Sequence, residues 1–194
     1  MSTPRLDLVI GCNGAGKSTL ITDLLLPRLS GSFYVNADEI ARQRWPDDPE
    51  ARSYDAAQIA ARTRAGLITM GRPFIAETVF SHPSKLELLD SAHAHGFRVV
   101  LHVVMVPEEL AVHRVRLRVT SGGHSVPEEK IRARYQRVWP LAAQGISRAD
   151  LAYVYDNSAG RMRLAARFVD GVEVGGSTWP SWTPPPLVRS RPAE

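Results

Sequence analysis

The chain has 194 residues, 44% of them hydrophobic and 23% charged, with a formal net charge of +4 and a single cysteine, Cys12. That is the size of one ordinary domain with a real core, and it excludes a scaffold of internal disulfides. No run nears the roughly 18 apolar residues that a membrane helix needs, and the first apolar stretch, 6–10, is too short for a targeting segment, so a cytoplasmic chain that does not contact membrane is expected.

Taken in order, Leu6-Asp7-Leu8-Val9-Ile10 is a short apolar run ending at glycine, the mark of a buried strand. Gly11-Cys12-Asn13-Gly14-Ala15-Gly16-Lys17-Ser18-Thr19 follows, and helical periodicity then runs from Lys17 to Leu26, where Pro27 stops it. Phe33-Tyr34-Val35 is a second strand that delivers Asn36, Ala37 and Asp38 at its carboxyl end. Residues 51–70 predict a long helix, and Phe74-Ile75-Ala76 a third strand presenting Glu77 and Thr78. A helix over 83–95 ends at Gly96, a fitting C-cap residue, and 99–106 is the most apolar strand, broken by Pro107. Two helices, 108–120 and 127–143, flank Ser121-Gly122-Gly123-His124. Residues 151–155 predict a fifth strand, and 164–174 a hairpin across Asp170-Gly171. From Gly175 the chain turns to Gly, Pro, Ser and Trp. Pro184-Pro185-Pro186 argues against regular structure there, with Trp179 and Trp182 capping the domain or meeting a partner.

The loop matches G-x-x-x-x-G-K-[ST] in full, between a strand and a helix as its mechanism requires. Its glycines let backbone amides approach phosphate oxygens, and the helix that begins near Lys17 adds its positive end. Lys17 is then expected on the β- and γ-phosphates of ATP and the Ser18 hydroxyl on Mg²⁺. Cys12, inside the loop, reads as an ordinary loop residue rather than a redox switch. Alternating strands and helices predict an α/β fold of P-loop NTPase, nucleoside-kinase-like type. Its expected form is a parallel sheet of about five strands, helices on both faces, and a small C-terminal hairpin. Residues 1–174 form the expected kinase domain, with a lid over about 114–137, and 175–194 an extended Pro/Trp-rich tail.

Ligands of such sheets bind beyond the carboxyl ends of the strands, where loop 11–19, Asp38, Glu77, Thr78 and Asp156 all fall. Asp38 is placed to accept a proton from a bound hydroxyl, and it also suits the N-cap of a helix starting near Glu39. Glu77 either holds the ion through water or, with Thr78, binds substrate hydroxyls. Arg114 and Arg118 lie one turn apart on one helix face beside the Gly-Gly hinge, as a lid closing over a triphosphate would need. Arg116 points elsewhere and reads as surface. The arginines, which far outnumber Lys17, Lys85 and Lys130, are interspersed with acids, so a nucleic-acid partner is not expected.

With these residues in place the chain resembles the zeta-toxin family of P-loop kinases, short single-domain members in particular. The resemblance rests on loop 11–19, Asn36-Ala37-Asp38-Glu39-Ile40-Ala41, Glu77-Thr78-Val79-Phe80-Ser81 with Lys85, and Arg114-Val115 with Arg118-Val119. It continues through Gly122-Gly123-His124-Ser125-Val126-Pro127, Arg134-Tyr135 and Asp156-Asn157-Ser158. It implies that Asp38 is the catalytic base, that Glu77, Thr78 and Ser81 bind substrate, and that Arg114 and Arg118 contact the γ-phosphate. The activity implied is ATP- and Mg²⁺-dependent transfer of phosphate to a small-molecule hydroxyl. The acceptor it implies is a nucleotide-sugar such as UDP-N-acetylglucosamine, and the protein partner it implies is an antitoxin. Two other readings stand beside it. A nucleic-acid-end kinase would need a basic, aromatic-lined groove, and Trp179 and Trp182 lie apart from the arginines. A non-catalytic ATP-bound interaction module would bind without transfer.

Overall fold

In the computed structural model, which describes residues 3–120 and 127–188, the apolar runs become strands β1 (Arg5–Ile10), β2 (Phe33–Val35), β3 (Phe74–Thr78), β4 (Arg98–Met105) and β5 (Leu151–Asp156). These pair in parallel in the order β2-β3-β1-β4-β5. A parallel sheet is covered on both faces, which is why β1 and β4 read as nearly unbroken apolar runs and are buried almost throughout. The sheet has seven strands rather than about five. β6 (Arg163–Val169) and β7 (Val172–Glu173) continue it antiparallel to β5, so the hairpin extends the sheet instead of standing apart. Pairing with β6 removes the open edge that β5 would otherwise present and buries Ala165, Ala166 and Phe168. The hairpin turns at Asp170 and Gly171, whose φ values of 49° and 77° are the left-handed pair a tight two-residue turn requires.

Helices cover both faces. α1 starts at Lys17–Leu20 and widens into a π turn over Ile21–Leu25 before Pro27. α2 (Ala37–Arg44) packs on α3 (Ser53–Thr69), and α4 (Leu86–Ala94) on α6 (Glu128–Arg148). α6 approaches β4 closely at Gly145, where a Cβ would sit 3.1 Å from a Leu101 methyl group. α5 (Glu108–Thr120) and α6 share a small apolar cluster of Val112, Val115 and Ile131. Among the described residues no helix is long and apolar enough to cross a membrane.

The stretch after Gly175 departs from an extended tail. Thr178 donates its backbone N–H to the Ala165 carbonyl, and Trp179 and Trp182 pack on the core, so capping is the outcome for the tryptophans. Pro185–Val188 forms one helical turn, α7, that lies against α6 and buries Leu187. Prolines open a helix readily because the first turn has no use for their missing N–H. That is how a Pro-Pro-Pro run ends in helix rather than forbidding it.

Candidate functional site

Loop 11–19 joins β1 to α1 at the carboxyl edge of the sheet. Its tight path demands glycine, most plainly at positions 14 and 16. Gly14 and Gly16 have φ of 77° and 96°, and a Cβ would come within 2.6 Å of the Ala111 carbonyl oxygen and 2.3 Å of Asn157 Nδ2. Asn157, just past β5, donates Nδ2 to the Ala15 carbonyl at 2.8 Å and so braces the loop from across the sheet. Arg114, on α5, donates to the Asn157 carbonyl at 2.9 Å and ties that brace to the helix. Cys12 is fully buried, and burial pushes its thiol up to about 12, so it stays protonated as an ordinary loop residue does.

Lys17 is 8% exposed, donates Nζ to the Cys12 carbonyl at 3.0 Å, and lies 3.9 Å from Glu77 Oε1. Glu77 is the hub. Its carboxylate accepts from the Ser18 hydroxyl at 3.0 and 3.3 Å, from the Tyr34 hydroxyl at 2.7 Å and from Asn36 Nδ2 at 3.0 Å. Burial, with the charge of Glu77 beside it, pushes the Tyr34 phenol up and keeps it a proton donor. The carboxylate stands against Ser18, on the phosphate side, where the oxygen pair of Ser18 and Glu77 suits Mg²⁺. The buried Lys17 ammonium and an unpartnered acceptor, Asn13 Oδ1, likewise fit a bound triphosphate and its water.

Asp38 is not the cap of α2. Asn36 is: extended at ψ 125°, it accepts the Asp38 N–H on Oδ1 at 2.8 Å. Asn36 directly follows β2 and lies two residues before the cap position of the sequence reading, and its side chain satisfies an N–H that Asp38 itself carries. The Asp38 carboxylate is exposed and has no partner among the described residues. Thr78 accepts the Phe80 N–H in a tight turn with Phe80 at φ 62°. Neither Thr78 nor Ser81 bonds to the loop. Arg118 lies on the exposed side of α5, one turn beyond Arg114. Two other arginines within the expected lid span join helices. Arg116 pairs with Glu128, and Arg132 with Glu108, Glu109 and Glu128, so they staple α5 to α6. The hinge residues Gly122, Gly123 and His124 lie outside the described residues. Tyr34, Asn36 and Asn157 were missed as site residues. Asn36 and Asn157 sit beside quoted motifs, whereas nothing in the local pattern marks Tyr34.

The sequence model of the AAA domain family AAA_33 matches residues 6–141. A dephospho-CoA kinase of Chlorobium luteolum is 30% identical over 198 aligned positions, covering 84% of this chain and 87% of that protein. Among solved structures, the AvrRxo1-ORF1:-ORF2 complex with ATP superposes with a TM-score of 0.71 at 16% identity over 89% of this chain, which spans 60% of the length of that one. A structure from the PezAT chromosomal toxin-antitoxin system of Streptococcus pneumoniae gives a TM-score of 0.64 at 15% identity, covering 86% of this chain and 72% of that one. The phosphate loop, the strand order and the matched span agree, and the chain belongs to the AAA_33 family of AAA domains, with a P-loop, kinase-like fold.

Proposed function

We propose that the chain is an ATP-dependent phosphotransferase of zeta-toxin type, moving the γ-phosphate of ATP to a hydroxyl of a small molecule in the cytoplasm. The observation that carries this reading is Asp38. Its carboxylate is exposed on the first turn of α2 and is relieved of capping by Asn36, which is itself bonded to Glu77 and through it to Ser18. A carboxylate with no structural duty at the carboxyl edge of the sheet, where the phosphate loop also lies, is what deprotonation of an acceptor needs.

In this reading the loop amides and Lys17 hold the β- and γ-phosphates. Ser18 and Glu77 would hold Mg²⁺, which neutralises charge on the phosphate oxygens. The acceptor oxygen bonds to the γ-phosphorus as the bond from that phosphorus to the β–γ bridging oxygen breaks. Asp38 takes the acceptor's proton, and ADP leaves with the bond pair. Arg114 and Arg118 serve the γ-phosphate, and Thr78 and Ser81 orient the acceptor. The identity to a dephospho-CoA kinase supports a small-molecule acceptor. The motif blocks 36–41 and 77–81 support its finer form, a nucleotide-sugar such as UDP-N-acetylglucosamine, with an antitoxin as protein partner. Residues 1–174 are the proposed kinase unit and 175–194 its tail, from which Trp179, Trp182 and Leu187 pack on the core.

The test is incubation with γ-labelled ATP, Mg²⁺ and a metabolite extract, with the labelled product identified by mass spectrometry. Asp38→Asn should lower transfer on the order of a hundredfold while ATP affinity stays within about threefold of wild type. Its thermal midpoint should not move, since the cap is Asn36. No labelled product from the wild type, or normal transfer by the variant, sinks the proposal.

A further inference from the structure

β2 and β3 pair in parallel with Tyr34 opposite Ile75 and Val35 opposite Ala76. One step further along the same register sets Asn36 opposite Glu77. Side chains alternate along a strand, so Tyr34 and Asn36 share the face on which Glu77 stands, one diagonal to it and one directly across. The two oxygens of the Glu77 carboxylate are then served unequally. Oε2 accepts from the Tyr34 hydroxyl at 2.7 Å, from Asn36 Nδ2 at 3.0 Å and from the Ser18 hydroxyl at 3.0 Å. Asn36 Nδ2 also donates to the Tyr34 oxygen at 2.8 Å, which closes a triangle around Oε2. Oε1 has the longer arm of the Ser18 contact at 3.3 Å, and Lys17 Nζ at 3.9 Å, beyond hydrogen-bond reach.

A carboxylate oxygen offers about two lone-pair directions, so three donors leave Oε2 none to give a metal ion. The side chain of Glu77 is only 11% exposed, and Asn36 is buried, so water competes little for these bonds. Turning both oxygens toward one cation would break the bonds from Tyr34 and Asn36. Oε1, on the Ser18 side, is the oxygen left to offer.

We propose that Tyr34 and Asn36 are positioning residues that restrict Glu77 to coordination through Oε1 alone, and so make the cation site selective for Mg²⁺ over Ca²⁺. This rests on the reading that Ser18 and Glu77 hold the cation of a bound nucleotide. Mg²⁺ demands near-octahedral geometry, which the two close oxygens of one chelating carboxylate fit poorly. Ca²⁺ takes more oxygens in looser geometry and readily accepts both from one carboxylate. A carboxylate with one oxygen tied down therefore gives Mg²⁺ what it needs and denies Ca²⁺ its second oxygen. A phenol suits the task, because it donates from a rigid ring and brings no charge to compete for the ion.

The test reads binding and needs no turnover. The protein is titrated calorimetrically with a non-hydrolysable ATP analogue in excess Mg²⁺, in excess Ca²⁺, and in a metal chelator. The wild type should bind the Mg²⁺ complex about tenfold more tightly than the Ca²⁺ complex. Tyr34→Phe keeps the ring and removes one hydrogen bond to a charged group, and should bring that ratio down about tenfold, to near unity. Its affinity for the metal-free analogue should stay within about twofold of wild type, since no donor to phosphate is lost. A Tyr34 that only packs predicts an earlier thermal midpoint and an unchanged ratio. Asn36→Ser, which keeps the cap of α2, should shift the ratio in the same direction and carries the test if Tyr34→Phe does not fold. The clamp is overturned if the wild type binds both metal complexes equally, or if the folded variants keep its ratio. A preference lost in the variants, in a protein that transfers no phosphate, keeps the clamp and rejects the kinase. Phosphate transfer by the wild type, with the ratio unchanged in the variants, keeps the kinase and rejects the clamp.

Discussion

Two polar clusters sit on the same sheet and are built differently. Inside it, Asp7 of β1 and His102 of β4 are 1% and 2% exposed. Arg5 reaches both Asp7 oxygens at 2.6 and 2.7 Å, His102 Nε2 meets Asp7 Oδ1 at 2.9 Å, and the rings of Tyr153 and Tyr155 stack along the imidazole. Each carboxylate oxygen is matched within the cluster. At the carboxyl edge the matching is incomplete. Lys17 has one carbonyl and a long ion pair, Ser18 is exposed, and the Asp38 carboxylate stands free. A polar cluster closed on itself holds strands together, whereas one with surplus donors and acceptors at the strand ends is prepared for a ligand.

That contrast predicts opposite responses to mutation. Lys17→Met, which keeps the stem and removes the charge, should lower ATP affinity or transfer on the order of a thousandfold, as loss of a principal charge-stabilising donor does. Its unfolding free energy should stay within about 1 kcal/mol of wild type, because no closed pair is broken. Asp7→Asn should do the reverse. It breaks a buried pair at a cost of about 3 kcal/mol in denaturant unfolding, with transfer per folded molecule unchanged. A Lys17 variant that unfolds early, or an Asp7 variant that is stable but inactive, would erase the distinction.

The closed cluster also carries a pH signature. Burial alone would raise the Asp7 carboxyl, but hydrogen bonds from His102 and Arg5 outweigh it and hold the group below its ordinary range. A lowered folded-state value stabilises at pH above the unfolded value near 4 and is lost as pH falls toward the folded one. Wild-type stability should therefore drop below about pH 4, and the difference between wild type and Asp7→Asn should shrink over the same interval.

Much of the fold is legible because its signals are local. The phosphate loop, the five apolar strands and the Asp170-Gly171 turn each announce themselves within a few residues. What was not legible depends on residues far apart in sequence. Ser18 meets Glu77, and Ala15 meets Asn157, only because the strand order brings the ends of β3 and β5 beside β1. Arg64 lies on a helix rich in arginine and alanine, where only tertiary packing reveals which arginine faces inward. Nothing local shows that Arg116 and Arg132 are ion-paired, because the glutamates that take them belong to another turn or another helix. The cap was misread by a different route. Asn36 and Asp38 are both good capping residues two positions apart, and where β2 ends decides between them.

Asn36 belongs to both kinds of cluster, and a small substitution separates its two duties. Oδ1 caps α2, while Nδ2 donates to the Tyr34 hydroxyl at 2.8 Å and to Glu77 at 3.0 Å. Serine caps about as well as asparagine but is too short to reach Glu77. Asn36→Ser should therefore stay within about 0.5 kcal/mol of wild-type stability. Transfer should fall roughly tenfold, the worth of one hydrogen bond to a charged group. Asn36→Ala loses the cap as well and should cost about a further 1 kcal/mol in stability with no further loss of rate. Thermal melts and transfer rates on the same preparations check both variants. If serine melts as early as alanine and transfers normally, Asn36 is a structural residue like Asp7, and the Glu77 hub does not depend on it.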